Sequence, residues 1–177
     1  MFENCECLLE INFSTLDCSE ITDFSEMFKK WINLQKVDFS NVKIDNVKNM
    51  KSMFDTCTNL KTINLKGSSF NVKNVENMSY MFYNCNNLTE LDLSSFVTDK
   101  LNDMSYMFYR CFELTKLKLA FKTENVTDMS YMFCNCNKLS ELDLFSFKTN
   151  NVKCMKYMFH RCFELTKLKL AFKTENV

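Results

Sequence analysis

The chain has 177 residues, and its 22 Lys and Arg are balanced by 22 Asp and Glu, so it carries no net charge at pH 7. A neutral chain has no long-range field to gather nucleic acid or an anionic membrane surface, so the composition argues against both classes of partner. The sequence contains no apolar run of 18 residues, which argues against insertion into a membrane.

The N-terminal stretch Met1–Leu8 matches Met81–Leu88 at its diagnostic positions, so the sequence already starts inside a repeat. It has neither the basic segment, nor the apolar segment, nor the cleavage site that make up a signal peptide. Neither terminus resembles the polar capping repeat that solenoids need for solubility. We therefore expect a fragment of a longer array; the alternative is a complete product whose ends pair with each other.

A leucine returns at a nearly constant spacing of about 26 residues, which is typical of a repeat protein. It is found at Leu8, Leu34, Leu60, Leu88, Leu114, Leu139 and Leu165. Each leucine opens an L-x-x-L-x-L pattern, whose last three positions alternate as in a half-buried strand.

Two steps of the repeat are irregular. The step from Leu60 to Leu88, which we call the long step, holds two extra residues around Lys66–Ser69, where the only glycine, Gly67, lies. We expect a surface loop there. The step from Leu114 to Leu139, which we call the short step, lacks one residue.

A second apolar pattern precedes each strand. Val126, Met129, Met132, Phe133 and Cys136 follow the spacing of one face of a short helix, and the same pattern recurs in the other repeats. A good N-cap residue stands before the first methionine or its equivalent: Asp23, Asn49, Asn77, Asp103 and Asp128. Cys154 replaces it in the last full repeat.

The two patterns together predict one domain over residues 1–177. The fold class is an α/β repeat solenoid with one short parallel strand and one short helix in each of about six or seven rungs, stacked into one long sheet. The rungs are expected to start near Ile21, Val47, Val75, Leu101, Val126 and Val152. A longer repeat is also present, because Arg110–Val126 is identical to Arg161–Val177 and Met78–Arg110 closely resembles Met129–Arg161.

The outward strand positions alternate in charge from rung to rung and form the candidate binding face. Its residues are Glu90, Asp92, Lys116, Lys118, Glu141, Asp143, Lys167 and Lys169. On a parallel sheet each acidic pair would lie beside a basic pair, so the pattern also fits simple cohesion of the sheet. The tyrosines Tyr80, Tyr83, Tyr106, Tyr109 and Tyr131 could extend a contact surface, or could serve only as partly buried packing.

Six of the ten cysteines occupy one inward position, which predicts buried free thiols. A zinc site would need clustered ligands, and the chain offers only Cys5 with Cys7 and Cys134 with Cys136, one member of each pair being an inward cysteine. Ten unpaired thiols fit a reducing compartment best.

The sequence offers little for catalysis or for a cofactor. His160 is the only histidine, it takes the place of Tyr83 and Tyr109, and a Ser-His-Asp or Cys-His unit could be built only through it. One glycine is too few for a phosphate-binding loop. We therefore expect a protein that is not an enzyme, with no catalytic residue, no cofactor and no metal.

The phrase from Asn125 to Thr149, Asn-Val-x-Asp-Met-Ser-Tyr-Met-Phe-x-x-Cys-x-x-Leu-x-x-Leu-x-Leu-x-x-Phe-x-Thr, resembles the BspA-type leucine-rich repeats of mycoplasma lipoproteins and of bacterial and protist surface proteins. The resemblance covers essentially the whole chain and implies a curved leucine-rich-repeat solenoid, usually displayed on a cell surface and concerned with adhesion or protein binding. It carries over no catalytic or ligand residue. An extracellular or surface location is implied, while the free cysteines and the lack of an export signal leave a cytoplasmic location open.

We conclude from the sequence that the chain is a non-catalytic repeat scaffold for interaction with a protein, or with a glycan, of the adhesion type. The alternative is a structural solenoid that associates with further copies through its uncapped ends.

Overall fold

The computed structural model describes residues 7–65 and 70–173. Within these ranges the chain winds into a solenoid, and one strand of each rung lies on the same side. The strands are β1 (Glu10–Asn12), β2 (Lys36–Asp38), β3 (Thr62–Asn64), β4 (Glu90–Leu93), β5 (Lys116–Leu119), β6 (Glu141–Leu144) and β7 (Lys167–Leu170). The predicted repeat solenoid with one short strand per rung is confirmed.

Equivalent residues of neighbouring repeats lie side by side in the paired strands. Ile11 faces Val37, Val37 faces Ile63, and Leu91 faces Leu117, always in parallel strands. Alternate strand residues point into the core, as in β4, where the leucines are buried and the two acidic residues are exposed. Stacking the rungs in this way gives each apolar side chain a copy above and below it, which is how a solenoid builds a continuous core.

The expected single long sheet is wrong, because the strands form three sheets, β1-β2-β3, β4-β5 and β6-β7. The interruption between β3 and β4 falls at the long step of the repeat, and the interruption between β5 and β6 falls at the short step. After β5 only Ala120 leads to the buried Phe121, whereas Ser94 and Ser95 fill the same connection after β4. The loop predicted at Lys66–Ser69 lies outside the described residues.

The predicted helix in each rung is also wrong, because the described residues contain no helix. The segment predicted to be helical is a run of overlapping turns. In one rung Met81 N–H donates to the carbonyl of Met78 (3.2 Å), and Tyr83 N–H donates to that of Tyr80 (3.1 Å). The described part of the chain therefore has no helix able to cross a membrane.

Other backbone N–H groups of these turns donate to the next rung. Met78 N–H donates to the carbonyl of Asp103 (2.9 Å), and Phe82 N–H donates to that of Met107 (2.9 Å). An α-helix directs its N–H groups to its own carbonyls, so it could not make these bonds. We call the stacked segments the turn ladder: residues 23–31, 49–57, 77–85, 103–111, 128–136 and 154–162.

The turn ladder crosses both irregular steps at which the sheet is interrupted. Bonds of 2.9 Å join Met50 N–H to the carbonyl of Asn77 and Tyr106 N–H to that of Ser130. Parallel bridges also run without a break along the first residues of the segments: Asp23, Asn49, Asn77, Asp103, Asp128 and Cys154. The turn ladder, and not the strand face, is therefore the continuous backbone connection of this solenoid.

The residues expected to cap helices close Asx turns instead. The Asp128 carboxylate accepts from Ser130 N–H (2.7 Å), and the Asn77 side-chain oxygen accepts from Ser79 N–H (2.8 Å). The acceptor chemistry that suits these residues to N-caps also suits them to turns, where they bond to the backbone two residues later. These residues therefore still mark the start of the segment, although the segment is not helical.

Phenylalanine rings form the centre of the core. Phe108 stacks on Phe82 at 5.5 Å and on Phe133 at 5.6 Å between ring centroids, with the rings within 6° of parallel. All three side chains are 0% exposed. The stack extends to Phe28 and Phe54 on one side and to Phe159 on the other.

The inward cysteines bond to the carbonyl of the preceding rung's phenylalanine. Cys57 Sγ donates to the carbonyl of Phe28 (3.0 Å) and Cys136 Sγ to that of Phe108 (3.1 Å). A thiol is small enough for this position and still supplies a weak donor. Burial raises the pKa of Cys57 to about 12, so its reactive thiolate form is scarce at neutral pH.

This burial predicts a large difference in thiol reactivity. In the native protein, iodoacetamide at pH 8 is expected to alkylate the exposed Cys7 and to leave Cys57 unmodified until denaturant is added. Mass spectrometry after trypsin separates the two, because Cys57 lies in the unique peptide 52–61. Native alkylation of Cys57 as fast as that of Cys7 would contradict the buried position.

Candidate interaction surface

The structure brings the predicted charged residues together in two groups of four. Across β4 and β5, Lys116 Nζ lies 2.7 Å from Glu90 and Lys118 Nζ lies 3.3 Å from Asp92. The corresponding distances across β6 and β7 are 3.6 Å for Glu141 with Lys167 and 3.0 Å for Asp143 with Lys169. Because β5 and β6 belong to different sheets, the stripe is divided at that point.

These ion pairs are solvent-exposed, so water and salt screen them and they add little to stability. The pKa of Asp92 is lowered mainly by the side-chain hydrogen bond from Ser94, and Lys118 lowers this pKa further. The hydrogen bond to Glu90 raises the pKa of Lys116. Asp92 and Lys116 therefore stay charged at neutral pH, so this surface carries both signs of charge.

An open groove of about 750 Å³ lies where the sheet is interrupted between β3 and β4. The apolar part of its lining is Ile63, Leu65 and Leu91. Its polar lining is Asn64, Glu90, Asp92, Ser94, Ser95, Lys116 and Lys118. Four residues of the predicted binding face thus border a concave site whose volume is in the range of ligand pockets.

The tyrosines lie half-buried on the turn ladder, where they stack from rung to rung. Tyr106 lies between Tyr80 and Tyr131, at 4.6 Å from each ring centroid, and Tyr83 stacks on Tyr109 at 4.9 Å. Burial raises the pKa of Tyr106 to about 12, with smaller contributions from the neighbouring tyrosines. The rings thus pack against each other within the turn ladder and remain partly exposed to solvent.

His160 is exposed and packs edge-on against Tyr157, at 5.4 Å between ring centroids. Over residues 7–65 and 70–173 no three His, Cys, Asp or Glu side chains are close enough together to hold a metal ion. Cys134 and Cys136 are both buried, and Cys136 Sγ donates to a backbone carbonyl. Cys5 lies outside the described residues.

The solved structures include chains similar to this one, among them the following two. A leucine rich cell surface protein from Faecalibacterium prausnitzii A2-165 is 15% identical over 96% of this chain and 46% of its own, with a TM-score of 0.48. An internalin from Listeria monocytogenes is 15% identical over 84% of this chain and 58% of its own, with a TM-score of 0.30. This chain therefore spans about half the length of each. A comparison with curated proteins finds no match.

One family model matches residues 1–117 and 88–177, and its two matches together cover the whole sequence. Its description is "Mycoplasma protein of unknown function, DUF285". The match agrees with the resemblance to the BspA-type repeats of mycoplasma lipoproteins. The chain belongs to this family of mycoplasma proteins, DUF285.

Proposed function

We propose that this chain is a non-catalytic repeat scaffold that binds an extended segment of a protein partner in the groove between β3 and β4. The groove itself is the observation that supports the proposal, because it combines an apolar lining, charges of both signs and a break in the sheet. An adhesion role at a cell surface is the finer form of the proposal and rests on the resemblance to BspA-type repeats.

An extended peptide suits this groove because β4 pairs with β5 along one side and belongs to a different sheet from β3 on the other. A segment laid along β4 would add a strand to a short sheet, a common mode of peptide recognition. Alternate side chains of the segment would reach Leu91, while the others would meet the charges of Glu90 and Asp92. The backbone supplies affinity and the charges supply specificity in this mode.

The chain itself provides a defined probe. The peptide acetyl-Thr-Lys-Leu-Lys-Leu-amide copies residues 115–119, which contain β5, the strand that already pairs with β4. Fluorescence anisotropy of a labelled form should show saturable binding to the unmodified chain. The same peptide with both lysines replaced by glutamate should bind at least tenfold more weakly, because its charges repel Glu90 and Asp92.

Two matched variants locate the binding. Ser95→Trp fills the groove with a large side chain and should weaken binding of the lysine peptide at least tenfold. Ser146→Trp makes the same change at the equivalent exposed position after β6 and should leave binding within twofold. Equal affinity in both variants, or no binding to the unmodified chain, would contradict the proposal.

Self-association is the second candidate, and it would use the leucines exposed on β7. Leu168 is 38% exposed and Leu170 is 41% exposed, whereas Leu142 and Leu144 of β6 are buried. Light scattering should then show a mass that rises with concentration, and Leu168→Lys with Leu170→Lys should abolish the rise. A constant monomer mass would leave binding of a different protein as the function.

A further inference from the structure

The stack of outer tyrosines is interrupted at one rung of the turn ladder. Tyr83 and Tyr109 occupy the same position in successive rungs, and their rings stack at 4.9 Å. In the next two rungs Cys134 and His160 occupy this position. A cysteine is much smaller than a tyrosine, so the space that a ring would fill between Tyr109 and His160 is open.

The structure shows a cleft of about 390 Å³ at this place. Tyr109, Arg110, Cys134, Asn135, His160 and Arg161 are among the residues that line it. Cys134 is only 2% exposed, so it closes the bottom of the cleft. Stacked tyrosines of successive rungs are 4.6–4.9 Å apart, and Tyr109 and His160 are two rungs apart, so a ring at the rung of Cys134 would lie about one such interval from Tyr109. The cleft therefore has room for one planar ring.

The cleft is positively charged. Arg110 and Arg161 both line it, both are exposed, and no carboxylate is among the lining residues. In the described part of the chain neither arginine forms an ion pair, although nine acidic side chains elsewhere pair with lysines within 3.9 Å. The Arg110 guanidinium lies over the Tyr109 ring, 5.6 Å from its centroid, so it borders the space that a ring would enter.

Cys134 lies close to both arginines. Burial raises the pKa of the Cys134 thiol, while the charges of Arg161 and Arg110 act in the opposite direction. Asn135 follows Cys134 and donates from Nδ2 to its Sγ (3.4 Å), which holds the amide at the bottom of the cleft. The two guanidinium groups, one rung above and one rung below Asn135, thus remain available to an anion.

We propose that this cleft binds an aromatic side chain flanked by carboxylates, from an extended segment of a protein partner. The ring enters between Tyr109 and His160, and the flanking carboxylates pair with Arg110 and Arg161, which suit bidentate recognition of such groups. A nucleic acid is the less suitable occupant, because the chain has no net charge and two arginines neutralise few phosphates. This site is on the turn ladder and is independent of the groove between β3 and β4.

The test measures binding of the probe acetyl-Glu-Tyr-Glu-amide to the full chain by isothermal titration calorimetry. Two comparison peptides separate the contributions: acetyl-Glu-Leu-Glu-amide lacks the ring, and acetyl-Lys-Tyr-Lys-amide reverses the charge. Each should bind at least tenfold more weakly than the probe. Equal binding of the leucine peptide, or tighter binding of a thymidine oligonucleotide than of the probe, would overturn the proposal.

Cys134→Tyr is the most informative variant, because it restores the residue found at Tyr83 and Tyr109 and fills the cleft. It should reduce binding of the probe at least tenfold. Arg110→Asn and Arg161→Asn remove one charge each and should reduce binding about threefold to tenfold. These two should fold normally, since Asn84 and Asn135 occupy the same position with similar positive φ angles of 56° and 63°. Unchanged binding in the two asparagine variants would overturn the proposal, whether or not Cys134→Tyr folds.

Discussion

Phe108→Ala is expected to lower the free energy of unfolding by about 3–5 kcal/mol. The ring is 0% exposed and stacks on Phe82 and Phe133, so its removal leaves a cavity in the middle of the core. The neighbouring rungs hold the cavity open, because each is tied to the next through the turn ladder. Urea unfolding followed by circular dichroism measures the change.

Phe163→Ala is the matched control for this experiment. Phe163 is 75% exposed, and its replacement should change the free energy of unfolding by less than about 0.5 kcal/mol. A similar loss in both variants would show that the stacked rings do not form the core.

Tyr106→Pro is expected to destabilise the fold by about 3 kcal/mol or more. Proline lacks the N–H that Tyr106 donates to the carbonyl of Ser130, and its φ is restricted to negative values, whereas φ at Tyr106 is 57°. The change therefore breaks the turn ladder at the short step of the repeat, where the strands do not continue the connection. Thermal and urea unfolding should both show the loss.

Tyr106→Gly separates the backbone effect from the loss of the ring. Glycine keeps the N–H and accepts a positive φ, but it loses the stacking on Tyr80 and Tyr131. The glycine variant should therefore be more stable than the proline variant by at least about 2 kcal/mol. Equal stability of the two variants would mean that the backbone bond at Tyr106 contributes nothing.

The strands and the buried rows could be predicted from the sequence because both depend on side-chain periodicity. Leu91 and Leu117, which are one regular repeat apart, do lie opposite each other. Four of the inward cysteines, Cys57, Cys85, Cys111 and Cys136, are buried, and Cys162 is half-buried. Alternating charges likewise predicted the pairing of Glu90 with Lys116. In each case equivalent positions of successive repeats lie side by side, so aligning the repeats with one another predicts which residues are in contact.

The helices could not be distinguished from the turn ladder in this way. Turns with a positive φ at Tyr106 (57°) and Arg110 (60°) repeat every four residues, which is close to the 3.6 residues of a helical turn. Met104, Met107 and Phe108 are therefore buried in either structure. A left-handed conformation costs about 1–2 kcal/mol for a non-glycine residue, so propensity alone argues against it. The bonds to the next rung offset this cost and exist only in the assembled solenoid.

Other features depend on where the repeat is irregular or on small differences between copies. The groove arises at the long step, and the spacing alone did not show that pairing of β3 with β4 is interrupted there. Buried threonines join rungs unexpectedly: Thr123 Oγ1 donates to the carbonyl of Lys148 (2.9 Å) and accepts from its N–H (2.7 Å). In the sequence, the only sign of the cleft is Cys134, a cysteine that does not occupy the inward position of the repeat.

Amide hydrogen exchange of three equivalent phenylalanines tests most directly whether the turn ladder is the continuous connection. The N–H groups of Phe54, Phe82 and Phe108 each donate to the next rung at 2.9 Å, and all three residues are 0% exposed. Phe54 bonds across the long step, Phe82 across a regular step and Phe108 across the short step. A continuous ladder predicts similar protection of all three amides, within about tenfold in exchange rate. Exchange of Phe54 and Phe108 at least a hundredfold faster than that of Phe82 would show that the ladder is interrupted with the sheet, and would contradict this account.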